Sequence, residues 1–187
     1  ETTEEAFNLL ENLLRWTRNQ NGKTKIYATL FNLTPVARQV VSLFSAIANA
    51  KEIELINRIE GKFDIFADED MIKTVLRNLI SNAIKFTYTG GQVELSLADS
   101  GDYWTIYVKD NGKGIPKDLQ THLLKSDEYI TTYGTHNEKG SGLGLILCRD
   151  FIRMNKGKLH FCSQEGIGTT FYFTIPKASS SAKAASR

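Results

Sequence analysis

The chain has neither a strong charge imbalance nor a long apolar run. Its net charge of +2 over 187 residues gives no indication of binding to nucleic acid or to a membrane surface. Because it contains no run of 18 apolar residues and no signal peptide, we expect this piece to be soluble as it stands and cytoplasmic. A membrane anchor elsewhere in a longer protein stays open.

Cysteine is scarce, and its spacing excludes a familiar kind of metal site. The two cysteines, Cys148 and Cys162, are far apart and lack any metal-ligand spacing. Each stands among apolar residues. We therefore predict two buried free thiols in a reducing compartment.

Two common phosphate-binding motifs are also missing. The chain has no G-x-x-x-x-G-K-[ST] sequence, so it is not a P-loop protein. Residues 140–144 are rich in glycine, but the third glycine is misplaced for the dinucleotide fingerprint G-x-G-x-x-G. That fingerprint must also follow an apolar strand, whereas residues 131–139 are polar.

A hydrophobic content of 41% is enough for the core of one domain. Thr34 is the predicted N-cap of a first helix with Pro35 in its first turn. The inward face of this helix is predicted to hold Val36, Val40, Leu43, Phe44 and Ile47. The other predicted elements are strands 53–59 and 64–67, a helix from the cap Asp68 to residue 86, hairpin strands 93–97 and 103–108, helices 116–124 and 143–154, and strands 158–163 and 169–175. This alternation predicts a two-layer α/β sandwich.

The first of three candidate site segments is residues 78–85, NLISNAIK, which has helical apolar spacing. Asn78, Asn82 and Lys85 are three or four positions apart and share the second face of this helix. An amide oxygen suits Mg²⁺, which takes other ligands from waters and substrate phosphates. The alternative is a solvated polar stripe on a core helix.

The second segment is residues 110–116, DNGKGIP, which follows a predicted strand. Asp110 can accept a hydrogen bond from an exocyclic amine such as that of adenine. Gly112 and Gly114 would let the backbone approach a ligand closely. The alternative is an ordinary glycine-rich turn.

The third segment is residues 140–145, GSGLGL, at the start of a predicted helix. Gly140, Gly142 and Gly144 leave backbone N–H groups unshielded at the positive end of the helix dipole. Such a helix start is an anion site, most plausibly for phosphates.

The wording and order of the three segments resemble the N box and two glycine boxes of the histidine-kinase branch of the GHKL superfamily. The resemblance covers residues 31–176. It implies the Bergerat fold, with a mixed sheet covered on one face by three helices, and a bacterial two-component kinase that uses ATP and Mg²⁺. The implied roles are phosphate contact and catalysis by Asn78 and Lys85, Mg²⁺ binding by Asn82, adenine binding by Asp110, Gly112, Gly114 and Thr169, and phosphate binding by the backbone of Gly140, Gly142, Leu143 and Gly144.

The residue at position 78 separates branches of the superfamily. The resemblance implies that a Glu activates water in the hydrolysing branches, whereas an amide has no useful basicity near neutral pH. Asn78 therefore favours transfer of the γ-phosphoryl group to another nucleophile. None of His122, His136 and His160 is followed by the family's phosphoacceptor box, so the acceptor is predicted to be absent from this chain.

The resemblance also divides the chain and implies partners. Residues 1–19 would be the end of the dimerisation hairpin, 20–30 a linker, 31–176 the catalytic ATP-binding domain and 177–187 a disordered tail or linker. Residues 125–139 would form the lid over the nucleotide, although Leu123 stands where many members have a Phe motif. The implied partners are the hairpin phosphoacceptor His, a response-regulator receiver domain and a second copy in the full-length protein.

Three other functions stay open. The chain could be a GHKL-type ATPase, against which Asn78 argues. It could be a Ser/Thr kinase of the anti-sigma type, or an ATP-sensing module without catalysis. Acid stability of the phosphoprotein separates phosphoserine from phosphohistidine.

Overall fold

The computed structural model describes residues 25–123, 133–136, 138 and 142–178. In this part of the chain the helices are α1 (Leu33–Ala50), α2 (Glu69–Phe86), α3 (Lys117–Gln120) and α4 (Gly144–Met154). The strands are β1 (Thr29–Asn32), β2 (Glu54–Asn57), β3 (Asp64–Ala67), β4 (Gln92–Ser100), β5 (Tyr103–Asp110), β6 (Leu159–Gln164) and β7 (Gly168–Pro176). The predicted helix over 1–19, most of the predicted lid, and the tail beyond 178 lie outside these residues.

The main sheet has five strands in the order β2-β4-β5-β7-β6. β2 runs parallel to β4, and the other neighbours are antiparallel. The predicted two-layer α/β sandwich with a mixed sheet is therefore confirmed. The sheet brings β5 and β7 together, so that Asp110 lies opposite Thr169.

The two faces of the sheet differ as strand alternation requires. Ile106, Phe171 and Phe173 are buried in the core with α1, α2 and α4. Tyr107 and Tyr172 lie on the other face with ring centroids 5.6 Å apart, and His160 stacks on Tyr172 at 5.3 Å. The helices thus cover one face of the sheet.

Helix α2 begins and ends as its sequence predicts. Asp68 caps it by accepting a hydrogen bond from the Met71 N–H at 3.1 Å. The other oxygen of the same carboxylate accepts the Tyr27 N–H at 2.9 Å, and the Asp68 N–H donates to Asn155 Oδ1 at 2.7 Å. One aspartate therefore joins the incoming chain, α2 and the end of α4.

The predicted start of α1 is wrong by two residues. Asn32 is the N-cap, and its Oδ1 accepts the N–H groups of Thr34 and Phe63, each at 3.1 Å. Thr34 is buried and its hydroxyl donates to the carbonyl of Gly61 at 2.8 Å. Asn32 is the N-cap rather than Thr34 because its side chain also accepts a hydrogen bond from the loop before β3.

Part of the predicted inward face of α1 is also wrong. Val36 and Val40 are buried and Phe44 is half-buried, but Leu43 and Ile47 are each 56% exposed. The apolar residues of α1 therefore extend over a wider part of the helix surface than the part that packs against the rest of the domain.

Two further corrections concern a strand and a thiol. β1 pairs with β3 in a separate two-stranded sheet, although its first residues fall in the predicted linker. Cys148 is buried as predicted, but Cys162 is exposed. The reason is strand alternation, since Cys162 shares the outer face of β6 with His160. Among the described residues, no helix is long and apolar enough to cross a membrane.

Candidate nucleotide-binding site

Asp110 ends β5 beside the first residues of β7 and is only 6% exposed. Its Oδ1 accepts two backbone hydrogen bonds, from Gly112 N at 2.9 Å and Thr169 N at 3.1 Å. Within the part of the chain that the structure describes, no group donates to its Oδ2. Burial raises the pKa of Asp110 to about 6, although the two N–H donors act in the opposite direction. The carboxylate is thus held in place through one oxygen and can offer the other to an amine.

The two glycines after Asp110 are required by close backbone contacts. A Cβ at Gly112 would collide with the carbonyl of Phe86 at the end of α2. Gly114 has a φ of 66°, and a Cβ there would collide with the carbonyl of Gln164. The turn after β5 is therefore pressed between the end of α2 and the β6–β7 hairpin.

Asn78, Asn82 and Lys85 are all partly buried on α2. Asn78 Nδ2 donates to the carbonyl of Thr74 at 2.9 Å. A Cβ added at Gly144 would lie 2.8 Å from Asn78 Oδ1. Hence α2 contacts the start of α4 near its middle and the turn after Asp110 at its end, and so brings the three predicted segments together.

The N-cap residue of α4 is apolar. Leu143 is its N-cap and is buried, and the preceding Gly142 has a φ of 73°. The Leu143 side chain itself makes no cap hydrogen bond, and the backbone N–H groups of a helix start are suited to binding anions. Gly140 lies outside the described residues.

Thr169 adds a hydroxyl next to Asp110. Its Oγ1 lies 2.9 Å from Ser163 Oγ, which also accepts the Ile115 N–H at 2.9 Å. Ser163 was not predicted as part of the site. Its role here is to tie the turn after Asp110 to β6 and β7.

Sequence reasoning also missed Lys51, which directly follows α1. Lys51 is buried, and its Nζ donates to the carbonyls of Ile84 at 3.0 Å and Lys85 at 2.9 Å. The neighbouring carbonyls are bonded too, that of Ala83 by Thr87 Oγ1 at 2.7 Å and that of Phe86 by the Lys113 N–H at 3.0 Å. The sequence signal is only that a Lys after a helix is common. Nothing in it indicates a contact with a second helix.

Residues 133–136 and Glu138, named the anchor segment, lie against the same end of α2. The Thr135 N–H donates to the Lys85 carbonyl at 3.1 Å, and the Thr135 hydroxyl donates to the Thr87 carbonyl at 2.8 Å. Glu138 Oε1 lies 3.1 Å from Lys51 Nζ, and Lys113 Nζ donates to the Tyr133 carbonyl. Partial burial alone would raise the pKa of Glu138, but hydrogen bonds, including those from Lys51 and the His136 N–H, hold it below its ordinary value.

The side chains available as metal ligands limit the kind of metal ion that this site could bind. Among the described residues, no three His, Cys, Asp or Glu side chains cluster as metal ligands. Asn82 offers a single neutral oxygen, which fits an ion that keeps waters and takes phosphate oxygens, as Mg²⁺ does.

The chain matches the family described as histidine kinase-, DNA gyrase B- and HSP90-like ATPases over residues 67–179, and it belongs to that family. The catalytic domain of histidine kinase ThkA superposes with a TM-score of 0.69 at 31% identity, covering 81% of this chain and 96% of that one. Within the family, this is a catalytic domain of the histidine-kinase type.

Longer relatives give the same assignment. The adaptive-response sensory kinase SasA of Crocosphaera subtropica is 30% identical over 170 residues, which cover 90% of this chain and 44% of that protein. The chain thus spans less than half the length of this curated relative. ShkA in complex with AMPPNP matches with a TM-score of 0.77 at 26% identity, over 95% of this chain and 37% of that one. ThkA in complex with the response regulator TrrA matches with a TM-score of 0.68 at 26% identity, over 95% and 52%.

Proposed function

We propose that this domain binds Mg-ATP and transfers the γ-phosphoryl group to a histidine on a dimerisation hairpin outside the described residues. The observation that carries the proposal is the contact of α2 with both glycine segments, at Gly112 and at Gly144. One helix thereby brings its amides and lysine close to a buried carboxylate and to the start of α4.

At the adenine end, Asp110 accepts the exocyclic amine through Oδ2, because Oδ1 is already bonded to Gly112 and Thr169. The Thr169 hydroxyl supports the same end of the ligand. Gly112 and Gly114 keep the turn thin enough for the base to approach. The buried carboxylate selects a ring that carries an amine over one that carries a carbonyl, since a carboxylate cannot donate.

At the phosphate end, Lys85 and Asn78 contact phosphate oxygens and Asn82 holds Mg²⁺. The backbone N–H groups from Gly140 to Gly144, with Leu143 between them, bind phosphate at the positive end of α4. The bound Mg²⁺ supplies charge neutralisation of the phosphates. Lys85 adds a point charge on the same side.

The amide of Asn78 accounts for transfer rather than hydrolysis. Its nitrogen donates to the Thr74 carbonyl, and its oxygen has no basicity with which to activate water. The enzyme therefore positions the γ-phosphoryl group and leaves the nucleophile to its partner.

The proposed partners follow from the relatives. A response-regulator receiver domain would take the phosphoryl group from the histidine, which the complex of ThkA with TrrA supports. The full-length protein would be a homodimer, because the phosphoacceptor lies on a dimerisation hairpin. The bound AMPPNP of ShkA supports ATP as the donor.

The test is phosphorylation in trans. The chain is mixed with labelled ATP, Mg²⁺ and a separately produced hairpin carrying its histidine. We expect acid-labile label on the hairpin and none on this chain, and we expect Asp110→Ala to lose both nucleotide binding by calorimetry and transfer. Acid-stable label, or rapid release of free phosphate without the hairpin, would instead indicate a Ser/Thr kinase or an ATPase.

A further inference from the structure

Lys51 is a buried cation whose hydrogen-bonding capacity is filled by two parts of the fold. It is 7% exposed, and its ammonium group has three protons to donate. Its acceptors are the carbonyls of Ile84 and Lys85 and the carboxylate of Glu138, at 3.0, 2.9 and 3.1 Å. Burial of a charge is costly unless the charge is paired and hydrogen-bonded. Lys51 therefore fixes the position of Glu138 relative to the end of α2.

Lys85 is the residue that this arrangement restrains. Its carbonyl accepts hydrogen bonds from Lys51 Nζ and from the Thr135 N–H. Its stem is packed as well, because a Cβ added at Gly134 would lie 2.6 Å from Lys85 Cγ and would collide with the Glu138 carboxylate. The backbone and the stem of Lys85 are thus confined by the anchor segment.

We propose that Lys51 and Glu138 are positioning residues for the phosphates of ATP, acting through Lys85. This inference rests on the proposed function, since it assigns Lys85 to the phosphates. Lys51 bonds the backbone carbonyl of Lys85, and the Glu138 carboxylate lies at Gly134 beside the Lys85 stem. The position of the stem then sets the direction of the Lys85 ammonium group. Releasing Glu138 therefore widens the range of positions that the ammonium group samples and weakens its contact with phosphate.

The first test compares two ligands on Glu138→Ala, by displacement of a fluorescent ATP analogue. We expect affinity for Mg-ATP to fall about fivefold, the effect of one partly exposed ion pair, while affinity for adenosine is unchanged. Adenosine binds at Asp110 and carries no phosphate, so a general loss of structure would lower both affinities. Equal losses for the two ligands, or no loss for ATP, would overturn the proposal.

The matched control is Glu94→Ala. Glu94 pairs with Arg58 at 3.4 Å and its side chain is 30% exposed, compared with 34% for Glu138. It lies on β4, away from the end of α2, so both affinities should match those of the unaltered protein. If the unaltered protein bound no ATP, the proposed function itself would fail, and this outcome is distinct from a failure of the positioning role.

Two further variants test the route through Lys85. Gly134→Ala removes no charge but displaces the Glu138 carboxylate, so it should reproduce the selective loss for ATP. Combining Glu138→Ala with Lys85→Met should weaken ATP binding no further than Lys85→Met alone, because both act on one contact. Additive losses in the combined variant would contradict an action through Lys85.

Discussion

The adenine end and the phosphate end of the candidate site are formed by different structural elements and different kinds of contact. At the adenine end, Asp110 is held by two backbone N–H donors, one from Gly112 in the turn after β5 and one from Thr169 on β7. At the phosphate end, the groups come from the side of α2 and the start of α4, and Lys51 and the anchor segment hold the end of α2. The first end depends on main-chain geometry and the second on side-chain contacts. Substitutions that displace the backbone at the adenine end should therefore produce the largest losses, and substitutions that change only a side chain should produce graded ones at either end.

The largest effect is expected at Gly112. Gly112→Ala places a methyl group against the Phe86 carbonyl at the end of α2, and backbone cannot yield as a side-chain tip can. We expect a loss of about 2 to 3 kcal/mol in the free energy of unfolding, with nucleotide binding abolished. Urea denaturation and calorimetry measure the two. Gly101→Ala is the control for binding alone: its Cβ would meet nothing within 4 Å, although its φ of 73° strains an alanine and lowers stability too. Equal binding by both glycine variants and the unaltered protein would contradict the close approach.

The next effect is expected at Asn82. Asn82→Ala removes the proposed Mg²⁺ ligand, and we expect the gain in ATP affinity on adding Mg²⁺ to shrink by at least about tenfold. Binding measured with EDTA should change little. An undiminished response to Mg²⁺ would place the ion elsewhere and break the division between the two ends.

The pH dependence should be confined to the adenine end. With the pKa of Asp110 raised to about 6, the carboxylate is mostly ionised at pH 7 and mostly protonated at pH 5. Affinity for adenosine should therefore fall about tenfold between these pH values. Asp110→Asn should bind weakly at both; a flat profile for the unaltered protein would contradict the role of this group.

The same group should affect stability in the opposite direction. Because the folded-state pKa of Asp110 lies above 3.8, the ordinary value for an aspartate, the folded protein binds this proton more tightly than the unfolded chain does. The contribution of Asp110 to stability is complete below pH 3.8 and is lost as pH rises to about 6. Denaturation of the unaltered protein and of Asp110→Asn over this range measures the difference.

The smallest effect is expected at Thr169. Thr169→Val removes the hydroxyl bonded to Ser163 but keeps the N–H that Asp110 accepts. We expect ATP affinity to fall about fivefold, the effect of roughly 1 kcal/mol from one hydrogen bond. A loss as large as that of Asp110→Ala would mean that the side chain, rather than the backbone, carries this end of the site.

The sequence predicted the elements whose signals are local. Asp68 with the apolar spacing behind it predicted α2 from its cap to Phe86, and the turn after β5 was recognised from its glycines. Lys51, Ser163 and Glu138 were missed because each depends on a partner far along the chain: Lys51 and Glu138 are 87 positions apart, and Ser163 and Ile115 are 48 apart. Leu43 and Ile47 were misplaced for a related reason, since periodicity gives the apolar side of a helix but not the width that a sheet covers.

The two thiols of the chain differ in chemical reactivity because of where they lie. Cys162 is on the outer face of β6, whereas Cys148 is on the packed side of α4. Burial raises the pKa of Cys148 and excludes reagents from it, whereas Cys162 stands exposed on β6. A spectroscopic label can therefore be attached at one position of the native protein without any engineered substitution. It would sit beside Tyr172 on the outer face of the sheet, opposite the face that the helices cover.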